Sequence, residues 1–156
     1  TFAKTESLIS GYGVDDPGIN RGEWYPNPQD KTHDLSLVAF YKLNKKWSFS
    51  SNFVYATGIP TNYPVAKYEY EGIVIPHYPG SRNQERLENY HRLDVAATFR
   101  PRGNDQREWV FSIYNLYNRK NTQSLNFREN EMTGQNETVK LSLFGAVGAL
   151  TYNFKF

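Results

Sequence analysis

The chain has 156 residues, 38% of them apolar and 16% aromatic, and its 18 Lys and Arg against 16 Asp and Glu give a formal net charge of +2. That balance offers no electrostatic case for nucleic acid, and the absence of Cys excludes disulfides and thiolate metal sites. Mean hydropathy is −0.71 and no apolar run reaches the roughly 20 residues of a membrane helix, yet twelve Tyr, ten Phe and three Trp are present. Polar on average but rich in aromatic rings is the composition expected of a barrel with a wet interior and interfacial girdles. The length suits one domain with a sizeable core. A mature outer-membrane protein and an internal fragment are both expected to open without a signal peptide, as this chain does.

Thr1 to Ser10 (TFAKTESLIS) alternates weakly and is expected to be a strand. Gly11 to Lys31, with four Gly and three Pro, reads as a long loop. Thr32 to Leu43 alternates, with His33, Leu35, Leu37, Ala39 and Tyr41 on one face and Asp34, Ser36, Val38, Phe40 and Lys42 on the other. A tight turn at Asn44-Lys45 leads into Lys46 to Thr57, where Trp47, Phe49, Phe53 and Tyr55 oppose Ser48, Ser50, Asn52 and Ala56. Gly58 to Glu88 is the longest connection and carries four Pro and many Tyr. Asn89 to Arg100 sets Leu93, Val95, Ala97 and Phe99 against Arg92, Asp94, Ala96 and Thr98. After the short turn Pro101 to Gln106, the strand Arg107 to Asn118 gathers Trp109, Phe111 and Ile113 on one face, and Arg119 to Glu137 reads as polar loop.

The last stretch, Thr138 to Phe156, reads as one strand. Phe144, Ala146, Gly148, Leu150, Tyr152, Phe154 and Phe156 alternate with Gly145, Val147, Ala149, Thr151, Asn153 and Lys155. An amphipathic strand ending on an aromatic residue suits either the closing strand of a transmembrane barrel or an inner strand of a soluble sandwich.

Loop order separates those readings. The connections run long, short, long, short, long, so 11–31, 58–88 and 119–137 share one end and the turns 44–45 and 101–106 the other. Outer-membrane barrels are built this way, with long loops outside and short periplasmic turns. Aromatics on the apolar faces collect beside the short turns, as Tyr41, Trp47, Phe99 and Trp109, and the last strand brings Phe154 and Phe156 towards them. Rings at one level fit a girdle at a membrane–water boundary, whereas sandwich-core aromatics need not share a level. Strands of about twelve residues exceed the roughly 9–11 needed for a tilted crossing. The expected fold is all-β: an antiparallel meander of about six transmembrane strands. Closed barrels need about eight or more, so the chain is expected to be the C-terminal portion of a larger one.

The runs YHRLDVAATF (Tyr90 to Phe99), WVFSIYNLYNRKN (Trp109 to Asn121) and SLFGAVGALTYNFKF resemble the final strands of TonB-dependent outer-membrane receptors of the Bacteroidetes type. The stretches DKTHDLSLVAFYKLNKKWSFSSNFVYATGIPTNYP and GSRNQERLENYHRLD share the likeness, which covers nearly the whole chain; the ending is unlike the SusC-like branch. The resemblance implies a 22-stranded barrel in the bacterial outer membrane, with an N-terminal plug energised through TonB, that imports a siderophore, vitamin, glycan or peptide. It implies as partners the rest of the barrel and its plug, outer-membrane lipid and lipopolysaccharide, TonB through the plug, the barrel-insertion machinery and a surface lipoprotein or other outer-membrane complex. The plug and the TonB-contacting segment are not in this sequence. The family's insertion signal maps onto Gly148, Tyr152, Phe154 and Phe156.

No catalytic set emerges, and neither a metal nor another cofactor is expected. His33 and His91 share the phase of the apolar residues at the outer strand ends, where interfacial imidazoles outrank metal ligands. Asp15, Asp16 and Asn20 lack the spacing of a calcium loop and read as turn residues. Asn136-Glu137-Thr138 matches a glycosylation sequon, which says little in a bacterial setting. Arg92 and Asp94 read as a charge network on the inward wall, ahead of a direct ligand role. The ligand-contact candidates are the loop aromatics Trp24, Tyr25, Tyr63, Tyr68, Tyr70 and Tyr78 with His77, Arg82 and Arg86, since rigid amphipathic rings give contact area at low entropic cost. Self-packing of a compact surface loop is the equal alternative for the rings. The functional expectation is import; the alternatives are a structural or accessory barrel without transport and a secreted carbohydrate-binding sandwich.

Overall fold

In a computed structural model, every residue is described except Gly72, Pro79, Gly103, Asn104, Asp105, Glu131, Gln135 and Phe156. The described residues form an all-β protein. In chain order the strands are β1 (Glu6–Ser7), β2 (Tyr25–Pro26), β3 (Asp34–Lys42), β4 (Trp47–Ala56), β5 (Pro60–Thr61), β6 (Ala66–Tyr70), β7 (Ile73–His77), β8 (Glu85–Arg86), β9 (Tyr90–Phe99), β10 (Arg107–Tyr114), β11 (Thr122–Glu129), β12 (Asn136–Ser142) and β13 (Val147–Phe154). A single 3-10 turn, Ile19–Gly22, is the only helical element among them. No described helix is long and apolar enough to cross a membrane, which says nothing of crossing by strands.

Five strands make one sheet in the order β3-β4-β9-β10-β13, so its members lie side by side in their chain order, with the β11-β12 hairpin inserted between the last two. The first hairpin has a local cause. Asn44 Oδ1 accepts the backbone N–H groups of Lys46 and Trp47 at 2.8 and 2.9 Å, an Asx turn that reverses β3 into β4. At the same end the Arg100 N–H donates to the Lys46 carbonyl at 2.7 Å, tying the end of β9 to the start of β4. The register from β9 through β10 to β13 sets Phe99, Trp109 and Tyr152 in one row, Ala97, Phe111 and Leu150 in the next, and Val95, Ile113 and Gly148 in the third. Period 2 in the sequence thus becomes aligned apolar rows across the sheet.

The chain divides into two compact units, Thr1–Asp34 with Ala56–Asn89, and Leu35–Tyr55 with Tyr90–Phe156. The second is the five-stranded wall plus the β11-β12 hairpin. The first is built of connections: β1 pairs β2, β5 pairs β8, and β6 pairs β7. Its packing rests on few buried groups, among them Tyr25, Leu87, Asp30 and Asn83.

Three sequence expectations change. Thr1 to Ser10 does not join the sheet, which therefore has five long strands rather than about six. Its backbone partners lie in the following loop: the Ala3 N–H donates to the Thr32 carbonyl at 3.0 Å and the Thr5 N–H to Asp30 Oδ1 at 2.7 Å. The polar segment after Arg119 is largely strand, since β11 pairs β12 with Leu125 opposite Lys140 and Phe127 opposite Thr138. This hairpin has much of both faces exposed, so it lacks the apolar-in, polar-out contrast by which a half-buried strand is recognised. The final strand consequently begins at Val147 and not at Thr138, with the residues between β12 and β13 breaking the ladder.

Candidate functional site

The wall has two chemically distinct faces. One carries Ala39, Tyr41, Phe49, Ser51, Val95, Ala97, Phe111, Ile113 and Leu150 around a shallow apolar trough of about 760 Å³. It is left open: Leu37 is 56% exposed, Tyr41 62% and Leu150 59%. Beside the short turns the rings meet across strands. Trp47 and Phe99 have centroids 4.6 Å apart, as do Trp109 and Tyr152, while Phe99 and Trp109 are direct cross-strand partners. Phe49 stacks on Trp47 and Phe154 on Tyr152. The structure thus brings three of the four girdle candidates, Trp47, Phe99 and Trp109, into one row and adds Tyr152; Tyr41 lies beside Phe49 along the trough. Of the insertion-signal residues, Gly148, Tyr152 and Phe154 lie on β13, and Phe156 falls outside the described residues.

The opposite face is mainly polar, with Val38 and Phe40 of β3 as exposed apolar exceptions. Arg92 lies between Asp94 and two phenols: Nε donates to Asp94 Oδ2 at 3.0 Å, and Nη1 donates to the hydroxyls of Tyr90 and Tyr114 at 2.9 and 2.6 Å. Its Nη2 is 2.9 Å from the same carboxylate, and its Cζ lies 4.1 Å above the Tyr114 ring. Nearer the turns, Arg100 pairs with Glu108 at 3.1 Å, and Asn153 donates to the other oxygen of that carboxylate at 3.0 Å. These pairs are partly buried; Arg92 and Asp94 lie on the same strand, with Arg92 reaching β10 at Tyr114, while Arg100 and Glu108 join the end of β9 to β10 by a charge-assisted hydrogen bond. Such a face holds its own charges in place and presents hydroxyls and amides beside them.

Sequence reasoning missed a clasp of three asparagines where β10 ends. The Asn115 side chain is buried, donating to the carbonyls of Arg119 and Phe144 and accepting the Arg119 N–H, while its backbone N–H donates to Asp94 Oδ1 at 2.9 Å. Asn118 Oδ1 accepts the Ala146 N–H at 2.8 Å, and Asn121 makes two hydrogen bonds with the His91 backbone, at 3.1 and 2.9 Å. Asn115 and Asn118 take φ of 54° and 55°, a left-handed conformation that Asn tolerates better than other non-glycine residues. A Cβ on Gly145 would meet Asn118 Oδ1, so a side chain here would displace the amide that holds the Ala146 N–H. The signal was present as Asn at every third position in NLYNRKN. Three amides at turn spacing after an apolar strand point to side chains replacing ladder bonds.

In the connecting unit the candidates separate. Tyr25 is buried, with the Arg82 guanidinium 5.9 Å from its ring centroid, and so is structural. Arg86 is also structural: Nη2 donates to Asp30 Oδ2 and Nη1 to the Gly58 carbonyl at 2.9 Å. Asp30 is 1% exposed and also accepts from Thr5 N–H and the Thr32 hydroxyl. Burial alone would raise its carboxyl, but these donors and the Arg86 charge outweigh it and hold the group below the usual carboxylate range. Gly58 is needed where the chain passes the Leu87 carbonyl, which an added Cβ would strike. Tyr63 is half-buried; Trp24, His77, Tyr78 and the Arg82 residue as a whole remain exposed. Tyr68 and Tyr70 project from the β6-β7 hairpin on the same face as Ile75 and Ile73, their cross-strand partners, with Tyr68 54% and Tyr70 63% exposed.

The histidines have modest partners: His33 Nδ1 lies 3.2 Å from the Thr57 hydroxyl and His91 Nδ1 2.7 Å from that of Tyr117. Asp16 caps its own turn, accepting from the N–H groups of Tyr12 and Gly18. Among the described residues no three His, Cys, Asp or Glu side chains come together as a metal site. Compared with protein-family models, curated proteins and solved structures, the chain matches none.

Proposed function

We propose that the chain is part of the wall and outer loops of a TonB-energised outer-membrane receptor that imports a scarce nutrient such as a siderophore, vitamin, glycan or peptide. The observation that carries the reading is the exposed apolar face of the five-stranded sheet, edged beside its short turns by the row Trp47, Phe99, Trp109 and Tyr152. In water that face would be covered by a second layer; lipid covers it directly, and rings at one level meet the membrane boundary. Two further features support it. Among the described residues both outer strands of the sheet, β3 and β13, have an open edge, which hydrocarbon tolerates only when further strands pair with them. The reverse face carries the ion pairs of Arg92 and Arg100, as a wall facing water and a plug requires.

In this reading the face bearing Val95 meets lipid, the face bearing Arg92 meets the lumen, and the hairpin bearing Tyr68 and Tyr70 reaches the nutrient from outside. The partners are the remaining strands and the plug, TonB acting through that plug, lipopolysaccharide and the insertion machinery. Heat-modifiable migration of the parent protein on gels, together with nutrient uptake that stops when TonB is removed, tests the proposal. A purified chain that is folded and monomeric in detergent-free buffer would overturn it in favour of a soluble sandwich. A folded barrel whose removal leaves every uptake unchanged would indicate an accessory scaffold instead.

A further inference from the structure

Where the asparagine clasp meets the polar face, a cavity of about 190 Å³ opens beside Tyr90, Arg92, Tyr114, Gln123, Leu143 and Phe144. We infer that this cavity is a binding subsite for a neutral, single-ring polyhydroxy ligand, a hexose unit, held by phenol and amide groups and covered by an aromatic ring.

Charge comes first. The guanidinium of Arg92 already faces Asp94 on two of its nitrogens, so the pair presents no net charge to a ligand. An anion entering here would lose hydration without a free cation to replace it, which disfavours carboxylates and phosphates. Hydrogen-bond valence comes next. The oxygens of Tyr90 and Tyr114 both accept from Arg92 Nη1. Their own O–H groups are left to donate, and if one donates to the other the second still points elsewhere. Gln123 also lines the cavity, and among the described residues its side chain has no hydrogen-bond partner, so it offers both a donor and an acceptor. Donors and acceptors side by side match hydroxyl groups, which are both.

Size and shape narrow the class. The volume lies below the roughly 300 Å³ at which sites for drug-sized ligands begin, so one ring fits and an extended chelator does not. Phe144 is 65% exposed and Leu143 64%, giving an apolar lip on which the C–H face of a sugar ring can rest. The inference stands on these groups and not on the import reading.

Saturation-transfer difference NMR on the parent protein that contains this chain, purified in a zwitterionic detergent free of sugar headgroups, tests it with glucose, galactose and N-acetylglucosamine as probes and citrate as the charged control. The expected result is saturation of at least one sugar, with binding about tenfold weaker in Gln123→Ala and in Phe144→Ala, the equivalent of one hydrogen bond or one ring contact. Both variants leave the Arg92–Asp94 pair intact; Tyr90→Phe, which keeps the ring and removes one donor, serves where a truncation disturbs folding. No saturation of any sugar, saturation equal in parent and variants, or preferential binding of citrate would each overturn the inference. The readout is binding to purified protein, so a failed uptake assay bears on the import proposal alone.

Discussion

The rings of Trp109 and Tyr152 lie 4.6 Å apart on paired residues of β10 and β13, with Trp109 facing Phe99 of β9 on its other side. The last long strand is thus registered on its neighbour by an aromatic pair as well as by backbone bonds. Such pairs contribute about 0.5–1.5 kcal/mol beyond the area they bury. A double-mutant cycle of Trp109→Ala and Tyr152→Ala is expected to give a coupling energy in that range by urea unfolding in detergent. Additive effects would mean that the two rings share a level without supporting each other.

Val95 and Ala96 are neighbours in β9 on opposite faces of the wall. If lipid covers the Val95 side, as proposed, Val95→Lys is expected to destabilise the folded protein by about 2–4 kcal/mol. Ala96→Ser, on the polar face, is expected to stay within about 0.5 kcal/mol of the parent. A neutral Val95→Lys in the same unfolding assay would reverse the facing of every strand in the sheet.

Asp30 is the buried centre of the connecting unit, and its carboxyl is held below the ordinary range by Arg86, Thr5 and Thr32. A depressed folded value means that the carboxylate contributes stability fully above its unfolded pKa of about 3.9. That contribution is lost as pH falls through the lower folded value. Amide exchange at Thr5, whose N–H donates to Asp30, is therefore expected to lose protection below about pH 4. Asp30→Ala leaves Arg86 facing an empty partner and is expected to cost the unit about 3 kcal/mol. Protection at Thr5 that survives both acid and Asp30→Ala would remove the carboxylate from its central role.

The asparagine clasp makes a local prediction. Asn121→Ala removes two hydrogen bonds to the His91 backbone and is expected to cost about 1–3 kcal/mol, with faster exchange of the His91 amide as its fingerprint. Gly145→Ala is expected to cost a similar amount, about 1–3 kcal/mol, because the new methyl group meets Asn118 Oδ1. Pairing Gly145→Ala with Asn118→Gly, which removes the obstructing amide, should restore part of the loss.

Tyr68 and Tyr70 share a face of β6 opposite Ile75 and Ile73. If that face meets the nutrient, Tyr68→Ala with Tyr70→Ala is expected to lower uptake by the parent receptor severalfold while the unfolding midpoint is unchanged. Unaltered uptake would assign the rings to the hairpin itself.

How much of this was legible in advance follows from the kind of information each residue carries. Leu93, Val95, Ala97 and Phe99 alternate with Arg92, Asp94, Ala96 and Thr98, and period 2 specifies a two-faced strand wherever one face is apolar and the other polar. The strands β3, β4, β9 and β10, their order in the meander and the gathering of rings beside the short turns could therefore be read from the sequence alone. The β11-β12 hairpin could not, because a strand exposed on both faces carries no such contrast. Nor could the partner of Thr1 to Ser10, whose weak alternation left open which backbone would take its hydrogen bonds.

The candidate residues divide on the same principle. An isolated Tyr or Arg in a connection has the same identity whether it is buried or free. Only the fold placed Tyr25 inside and Tyr68 outside, set Arg86 against Asp30, and brought Asn115, Asn118 and Asn121 to the end of β10. By itself, then, the sequence determined that this is an all-β chain of two-faced strands with aromatics at one end, since alternation and turn chemistry are local and repeat along each strand. Tertiary structure decided which strands pair, which charges neutralise each other and which side chains are buried, because those depend on contacts between residues distant in the chain.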